Sequence, residues 1–321
     1  MKWNVVTDSS CDLLPSSYQS DVIEFSSVPF VITVGGQHFV DDEDLDLQKM
    51  LHDMEQEKEA SHTACPAPGT WLQHFEKAGH TFAITISSQL SGSMNSALTA
   101  MDMALEEHPG KKIAVLDSKS TGPELVLCVH ELERLAREGV DFDEAVARAN
   151  TFLERTKILF ALSSFDNLIK NGRMGKMTGF LARALGMWGI GTASEEGTIV
   201  VEGKARGTKK TVRELINRMK ERGFAGGRVA ISHCDNLAVA QTLKENILRL
   251  WGNSEIEIIP TRGLCSYYAE RGGLIIGFQE TRRGNLAVSV LFFALGLQAG
   301  FRKNSKALRT KNAFRASIQV S

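Results

Sequence analysis

An α/β fold is what this sequence predicts, on three observations. Apolar, β-branched runs alternate with stretches whose apolar residues recur every three or four positions. The runs end in loops rich in Ser, Asp and Gly, which are turn and helix-capping residues. The length of 321 residues, with 43% hydrophobic and 23% charged residues, suits a globular chain large enough for two lobes. Strands alternating with helices imply a parallel sheet covered on both faces, and such sheets bind ligands beyond the carboxyl ends of their strands.

The first lobe is expected over residues 1–157. Val5-Val6 reads as a strand that leads into Thr7-Asp8-Ser9-Ser10-Cys11-Asp12-Leu13, a turn full of capping side chains. Residues 28–34 read as one β-branched strand ending in a hairpin at Gly35-Gly36. A helix is expected over residues 46–59. The segment Thr63-Ala64-Cys65-Pro66-Ala67-Pro68-Gly69 reads as a loop because of its prolines. Residues 71–78 form a short helix. Phe82-Ala83-Ile84-Thr85-Ile86 is a buried strand, and residues 94–107 form a helix with Met94, Leu98, Met101 and Leu105 in phase. Another strand is expected at residues 112–116. A helix then begins at Pro123 and stops near Gly139, and a second begins at the capping residues Asp141-Phe142-Asp143-Glu144.

The second lobe is expected over residues 158–279. Its strands are read at residues 158–162, 198–201, 228–232, 256–259 and 272–278. A helix covers residues 237–251, with Val239, Leu243, Ile247 and Leu250 in phase. Residues 280–321 form a separate basic extension. They hold eight Arg or Lys residues and one acidic residue, a surplus of seven positive charges, so the remainder carries −8 against a net charge of −1. The apolar run at residues 286–297 is too short for a membrane span, which leaves an interfacial role or an irregular extension.

A net charge of −1 argues against nucleic-acid binding. The start Met1-Lys2-Trp3-Asn4 does not read as a signal peptide. The five cysteines are scattered without C-x-x-C spacing, as expected for reduced thiols in a cytoplasmic protein and not for a zinc site. No cofactor is indicated. The glycines lack the P-loop pattern, and Gly186, Gly189 and Gly191 do not form a dinucleotide fingerprint.

Chemistry concentrates in Ser87-Ser88-Gln89-Leu90-Ser91-Gly92-Ser93. A strand that turns through Ser and Gly into a helix presents hydroxyls and free N–H groups where the helix dipole favours an anion. The plainer reading has Ser93 as a cap and Gly92 as a turn residue. A hydrolase using Ser91 or Cys65, with His62, His233 or Asp117 in support, is the alternative; it lacks the G-x-S-x-G elbow. The basic residues Lys204, Arg206, Lys209, Lys210 and Arg213 read either as a phosphate-recognition cluster or as a solvated face.

These segments, in this order, resemble the DegV family, the fatty-acid-binding proteins that serve bacterial fatty acid kinase. The resemblance runs from Thr7-Asp8-Ser9-Ser10 through Thr63 and Pro66 to the Ser87–Ser93 loop. It continues through Asp117-Ser118, the Asn167 to Arg173 segment, Arg206 with Lys209-Lys210, His233, and Gly272-Gly273-Leu274. It implies a two-lobed α/β fold, an N-terminal parallel-sheet lobe and a smaller C-terminal α/β lobe, with a long-chain fatty acid between them. It further implies that Thr63, Ser91 and Gly92, with Ser93 close by, hold the carboxylate. Arg173 and Arg206 would then dock a fatty acid kinase that makes the acyl phosphate, this chain not being the catalyst. The basic extension is a candidate for membrane contact. The chain departs from the family pattern in the Ala64-Cys65 part of its first loop, at Trp188-Gly189, and at Ala269, which stands where a His linked to kinase coupling is usual.

Overall fold

The first strand, β1 (Trp3–Asp8), is buried along its whole length and lies inside a four-stranded parallel sheet. In the computed structural model of the protein, the residues described are 2–57, 61–77, 79–175 and 186–280. β2 (Ile23–Val28) pairs with β1 in parallel, Val5 opposite Phe25. Pro29 then ends the pairing, because it has no N–H to donate. Residues 28–34, read from sequence as one strand, therefore divide between two sheets. β3 (Val31–Val34) turns through Gly35-Gly36, both at positive φ, into β4 (Gln37–Val40).

α1 (Leu47–Gln56) follows, its first turn capped by the Asp46 carboxylate on the Lys49 N–H. β5 (His62–Ala64) pairs antiparallel with β3, Thr63 opposite Ile32, and completes a small sheet of order β4-β3-β5. Thr63 and Ala64 are thus strand residues, a correction to the loop expected there. The prolines act only downstream, and Pro68 opens α2 (Pro68–Phe75) at the first helical position, where its missing N–H costs nothing.

β6 (Thr81–Thr85), α3 (Ser93–Glu107) and β7 (Ile113–Asp117) continue the parallel sheet in the order β2-β1-β6-β7. Side chains alternate across it. Val6 and Ala83 pack under α2 and α3 against Trp71, Phe75, Ala97 and Ala100. Val5, Phe82 and Ile84 pack on the other face against α4 (Pro123–Arg137) and α5 (Phe142–Arg155). The Asp141 carboxylate caps α5 through the Asp143 and Glu144 N–H groups, as its sequence announced.

β8 (Thr156–Leu162) opens a second, mixed sheet, and α6 (Asp166–Lys170) follows it. The remaining elements are β9 (Met187–Ala193), β10 (Ile199–Arg206), α7 (Thr208–Glu221), β11 (Arg228–His233), α8 (Leu237–Leu250), β12 (Glu255–Pro260), α9 (Gly263–Ala269) and β13 (Leu274–Gln279). The sheet order is β10-β9-β8-β13-β11-β12. β9 was not expected, because Gly189 and Gly191 weaken a strand pattern. Gly191 is required there: a Cβ would collide with the Val200 carbonyl and the Phe160 ring.

This sheet also sorts its side chains by parity. Leu159, Ala161, Leu274 and Ile276 face α7 and α8. Ile158, Phe160, Leu162 and Ile275 face the other way, toward α6 and α9. That second face becomes a wall of the site. The basic extension, including the apolar run at 286–297, lies outside the described residues from residue 281 onward. No helix among the described residues is long and apolar enough to cross a membrane.

Candidate functional site

The loop between β6 and α3 is built on a buried carboxylate. Asp8, at the end of β1, is fully buried. Its Oδ1 accepts from the Ser10 N–H (3.2 Å) and hydroxyl (2.5 Å), and its Oδ2 accepts from the Ile86 N–H (2.9 Å) and the Ser93 hydroxyl (2.6 Å). Burial raises the pKa of this carboxyl, while the hydrogen bonds act to lower it. Asp8 thereby fixes both ends of the loop. Within the loop, the Leu90 and Ser91 N–H groups turn back onto the Ser87 carbonyl. Ser91 Oγ accepts from the Ser93 N–H at 3.2 Å. Gly92 stands at the N-cap of α3 and offers no side chain of its own to the helix start.

α9 completes the site from the other side. Asp41 accepts from the Gly263 and Leu264 N–H groups, each at 2.8 Å, and so caps α9. Gly263 is needed for this approach, because a Cβ there would stand 2.7 Å from Asp41 Oδ1. Held in this way, α9 delivers the Tyr268 hydroxyl to within 2.9 Å of Thr63 Oγ1. The neighbouring Tyr267 hydroxyl meets Ser61 Oγ (2.6 Å) and receives the Asn171 side-chain amide (2.9 Å).

Arg173 closes the polar cluster. Its Nε donates to the Leu90 carbonyl (3.0 Å) and its Nη1 to the Asn171 carbonyl (2.6 Å). Arg173 therefore ties the segment after α6 to the Ser87–Ser93 loop. Its positive charge opposes the rise that burial causes in the Tyr268 phenol pKa.

Between these elements lies a cavity of about 840 Å³, counted out to its mouth. Phe30, Ile86 and Leu90 line one side of it, Ile158, Phe160, Leu162, Ile199 and Ile275 of the second sheet line the other, and Leu168 of α6 joins them. Thr63, Ser91, Arg173 and Tyr268 all contribute to the same lining. Lys119, at positive φ, and Gly197 also line it, and there the Ser87 hydroxyl donates to the Gly197 carbonyl at 2.8 Å.

The site residues expected from sequence separate into groups. Thr63 and Ser91 share the cavity. Ser93 is fully buried, and its hydroxyl is engaged by Asp8 behind the loop. Gly92 adjoins Cys65, whose Sγ lies 3.5 Å from where a Gly92 Cβ would stand. Arg173 lines the cavity, whereas Arg206 is exposed at the end of β10 on the outward face it shares with Lys204. Tyr268 and Asn171 were not expected in this role. The hydrolase alternative is not favoured: among the described residues no histidine lines the cavity, and His233 Nδ1 faces the Asn236 N–H. Cys65 is an exposed free thiol.

Comparisons with known proteins extend these observations. A family model described as "Uncharacterised protein, DegV family" matches residues 2–280. A DegV domain-containing protein of Streptococcus pneumoniae is 42% identical over 279 residues, which are 87% of this chain and 99% of that protein. The crystal structure of the Streptococcus pneumoniae fatty acid kinase (Fak) B3 protein loaded with linoleic acid matches with a TM-score of 0.84 at 42% identity, over 88% of this chain and 100% of that one. A DegV family protein from Eubacterium eligens loaded with heptadecanoic acid matches with a TM-score of 0.83 at 36% identity, over 87% of this chain and 100% of that one.

Proposed function

This chain belongs to the DegV family, and from that premise we propose that it is a carrier that buries one long-chain fatty acid and presents its carboxylate to a fatty acid kinase. The observation that carries this reading is one apolar cavity whose lining also holds Thr63, Ser91, Tyr268 and Arg173.

The energetics divide naturally between tail and head. Burying the chain of a C16 acid contributes a gross gain of roughly 11 kcal/mol at about 0.8 kcal/mol per methylene. Ordering of the chain and lost tumbling reduce that figure. A carboxylate taken into such a site needs hydrogen bonds, or its desolvation would cancel several kcal/mol of the gain. Hydroxyl donors and the start of α3, where Gly92 places no side chain, supply them.

In this assignment Thr63 and Ser91 donate to the carboxylate, Gly92 keeps the start of α3 open to it, and Ser93 positions the loop through Asp8. Arg173 and Arg206 are assigned to kinase docking. Arg173 has a second part to play, because it lines the cavity and so brings positive charge to the head group's side. The chain itself does no chemistry on the lipid; the partner forms the acyl phosphate. Residues 1–157 and 158–279 are assigned as the two lobes around the ligand. The protein is assigned to the cytoplasm, where the basic residues beyond 280 would meet anionic membrane surfaces.

Calorimetric titration with oleate and with palmitate tests the reading. Saturation at one acid per chain supports it, and no uptake of either acid overturns it. Acyl phosphate formation from the loaded protein, ATP and a bacterial fatty acid kinase tests the coupling.

A further inference from the structure

We propose that Tyr268 is a head-group ligand of this carrier, a phenol donor that completes the carboxylate cradle with Thr63 and sets the chain's preference for an ionised acid over a neutral lipid. The inference rests on the lipid-binding reading above and adds to it a residue that the motifs did not supply.

The geometry is specific. The Tyr268 hydroxyl and Thr63 Oγ1 stand 2.9 Å apart in the cavity lining. Two hydroxyls in mutual contact hold two protons, and their shared bond uses one of them. The other proton remains for a ligand. A carboxylate arriving at this pair can also part it and accept from both, exchanging one neutral hydrogen bond for two charge-assisted ones, which are shorter and stronger. A fatty alcohol or an ester offers no such exchange.

Tyr268 is also held in place. Its ring packs against Phe30, Ile86 and Leu264. It meets the Tyr267 ring edge-on at 4.8 Å between centroids. Tyr267 is anchored through Ser61 and Asn171, and α9 itself through Asp41. The phenol therefore approaches Thr63 from a rigid element, so little freedom remains to be lost when it meets a ligand. Burial raises its pKa, which keeps the donor proton in place at neutral pH.

The test compares oleate with oleyl alcohol on the full chain. Tyr268→Phe keeps the ring and removes the donor. It is expected to raise the oleate Kd about tenfold, roughly the cost of a lost hydrogen bond to a charged group, while the oleyl alcohol Kd moves less than twofold. An unchanged oleate Kd, or equal weakening of both ligands, overturns the proposal while the carrier reading stands. A wild-type chain that takes up neither ligand overturns both. A second measurement needs no folded variant. The chain has three tyrosines, so ring-labelled tyrosine gives three resolvable ¹³Cζ signals. Oleate is expected to shift the Tyr268 signal, and a Tyr268 signal unmoved by saturating oleate overturns the assignment.

Discussion

The Ser93 hydroxyl donates to Asp8 Oδ2 at 2.6 Å, joining the start of α3 to the end of β1 across 85 positions of sequence. Four donors converge on that one carboxylate, from Ser10, Ile86 and Ser93. Replacement by an amide puts an NH₂ group against two of them. Asp8→Asn is therefore expected to lower the unfolding free energy by about 1–3 kcal/mol, the usual cost of leaving buried polar groups unpaired. Urea unfolding measures it, and an unchanged midpoint and slope would show that the loop does not depend on Asp8.

The two hydroxyls that share the cavity lead to a second expectation. Thr63→Val and Ser91→Ala should each weaken oleate binding by about 1–3 kcal/mol while leaving the melting temperature close to that of the wild type. Titration calorimetry separates this outcome from one in which affinity and stability fall together, which would make both residues structural.

Much of this site was legible in the sequence because its signals are local. The Ser87–Ser93 loop lies between a strand and a helix that their own periodicities announce, and Asp141 caps its helix within three residues. Tyr268 was not legible in its role. Its position depends on Asp41, 222 residues from the Gly263 N–H that it accepts from. Its partner Thr63 is 205 residues away. No spacing rule spans such distances. β9 has a different cause: its glycines lower strand propensity, and Gly191 is there because the Phe160 ring and the Val200 carbonyl leave no room for a Cβ.

Gly197 supplies a third prediction. It sits at φ +94°, and a Cβ there would crowd the Ser87 hydroxyl and approach the Lys119 carbonyl to 2.9 Å. Gly197→Ala should disturb the turn between β9 and β10 at the cavity lining. The fatty acid is then expected to dissociate several-fold faster, as read by transfer of a fluorescent acid to vesicles. An unchanged rate would show that this turn takes no part in retaining the ligand.

The apolar wall offers a fourth. Ala193 lines the cavity, and Ala193→Phe should fill space that a long acyl chain uses. Overpacking of this kind costs about 1–3 kcal/mol. The loss should be larger for an eighteen-carbon acid than for a twelve-carbon one in competition binding. Equal loss for both would mean that the chain does not run past this residue.

Buried acids set a fifth, on pH. Burial pushes the Asp12 carboxyl up to about 6 and the Glu124 carboxyl up to about 7. In the unfolded chain both release their protons near the ordinary values of 3.8 and 4.5. Their contribution to stability is complete below about pH 4 and is lost as the pH rises through 6 and 7. His74 and His233, whose pKa values burial lowers, act in the opposite sense. The difference between wild type and Glu124→Gln isolates the one carboxyl. The variant's stability relative to wild type should rise between pH 5 and pH 7.5. A constant difference would mean that Glu124 does not titrate in that range.

Native mass spectrometry of the full chain, purified from bacteria without added lipid, shows whether the protein carries a fatty acid. A species heavier than the polypeptide by one long-chain fatty acid is expected, and Thr63→Val combined with Ser91→Ala should deplete it. A bare polypeptide that also remains bare after incubation with excess oleate would contradict the carrier reading.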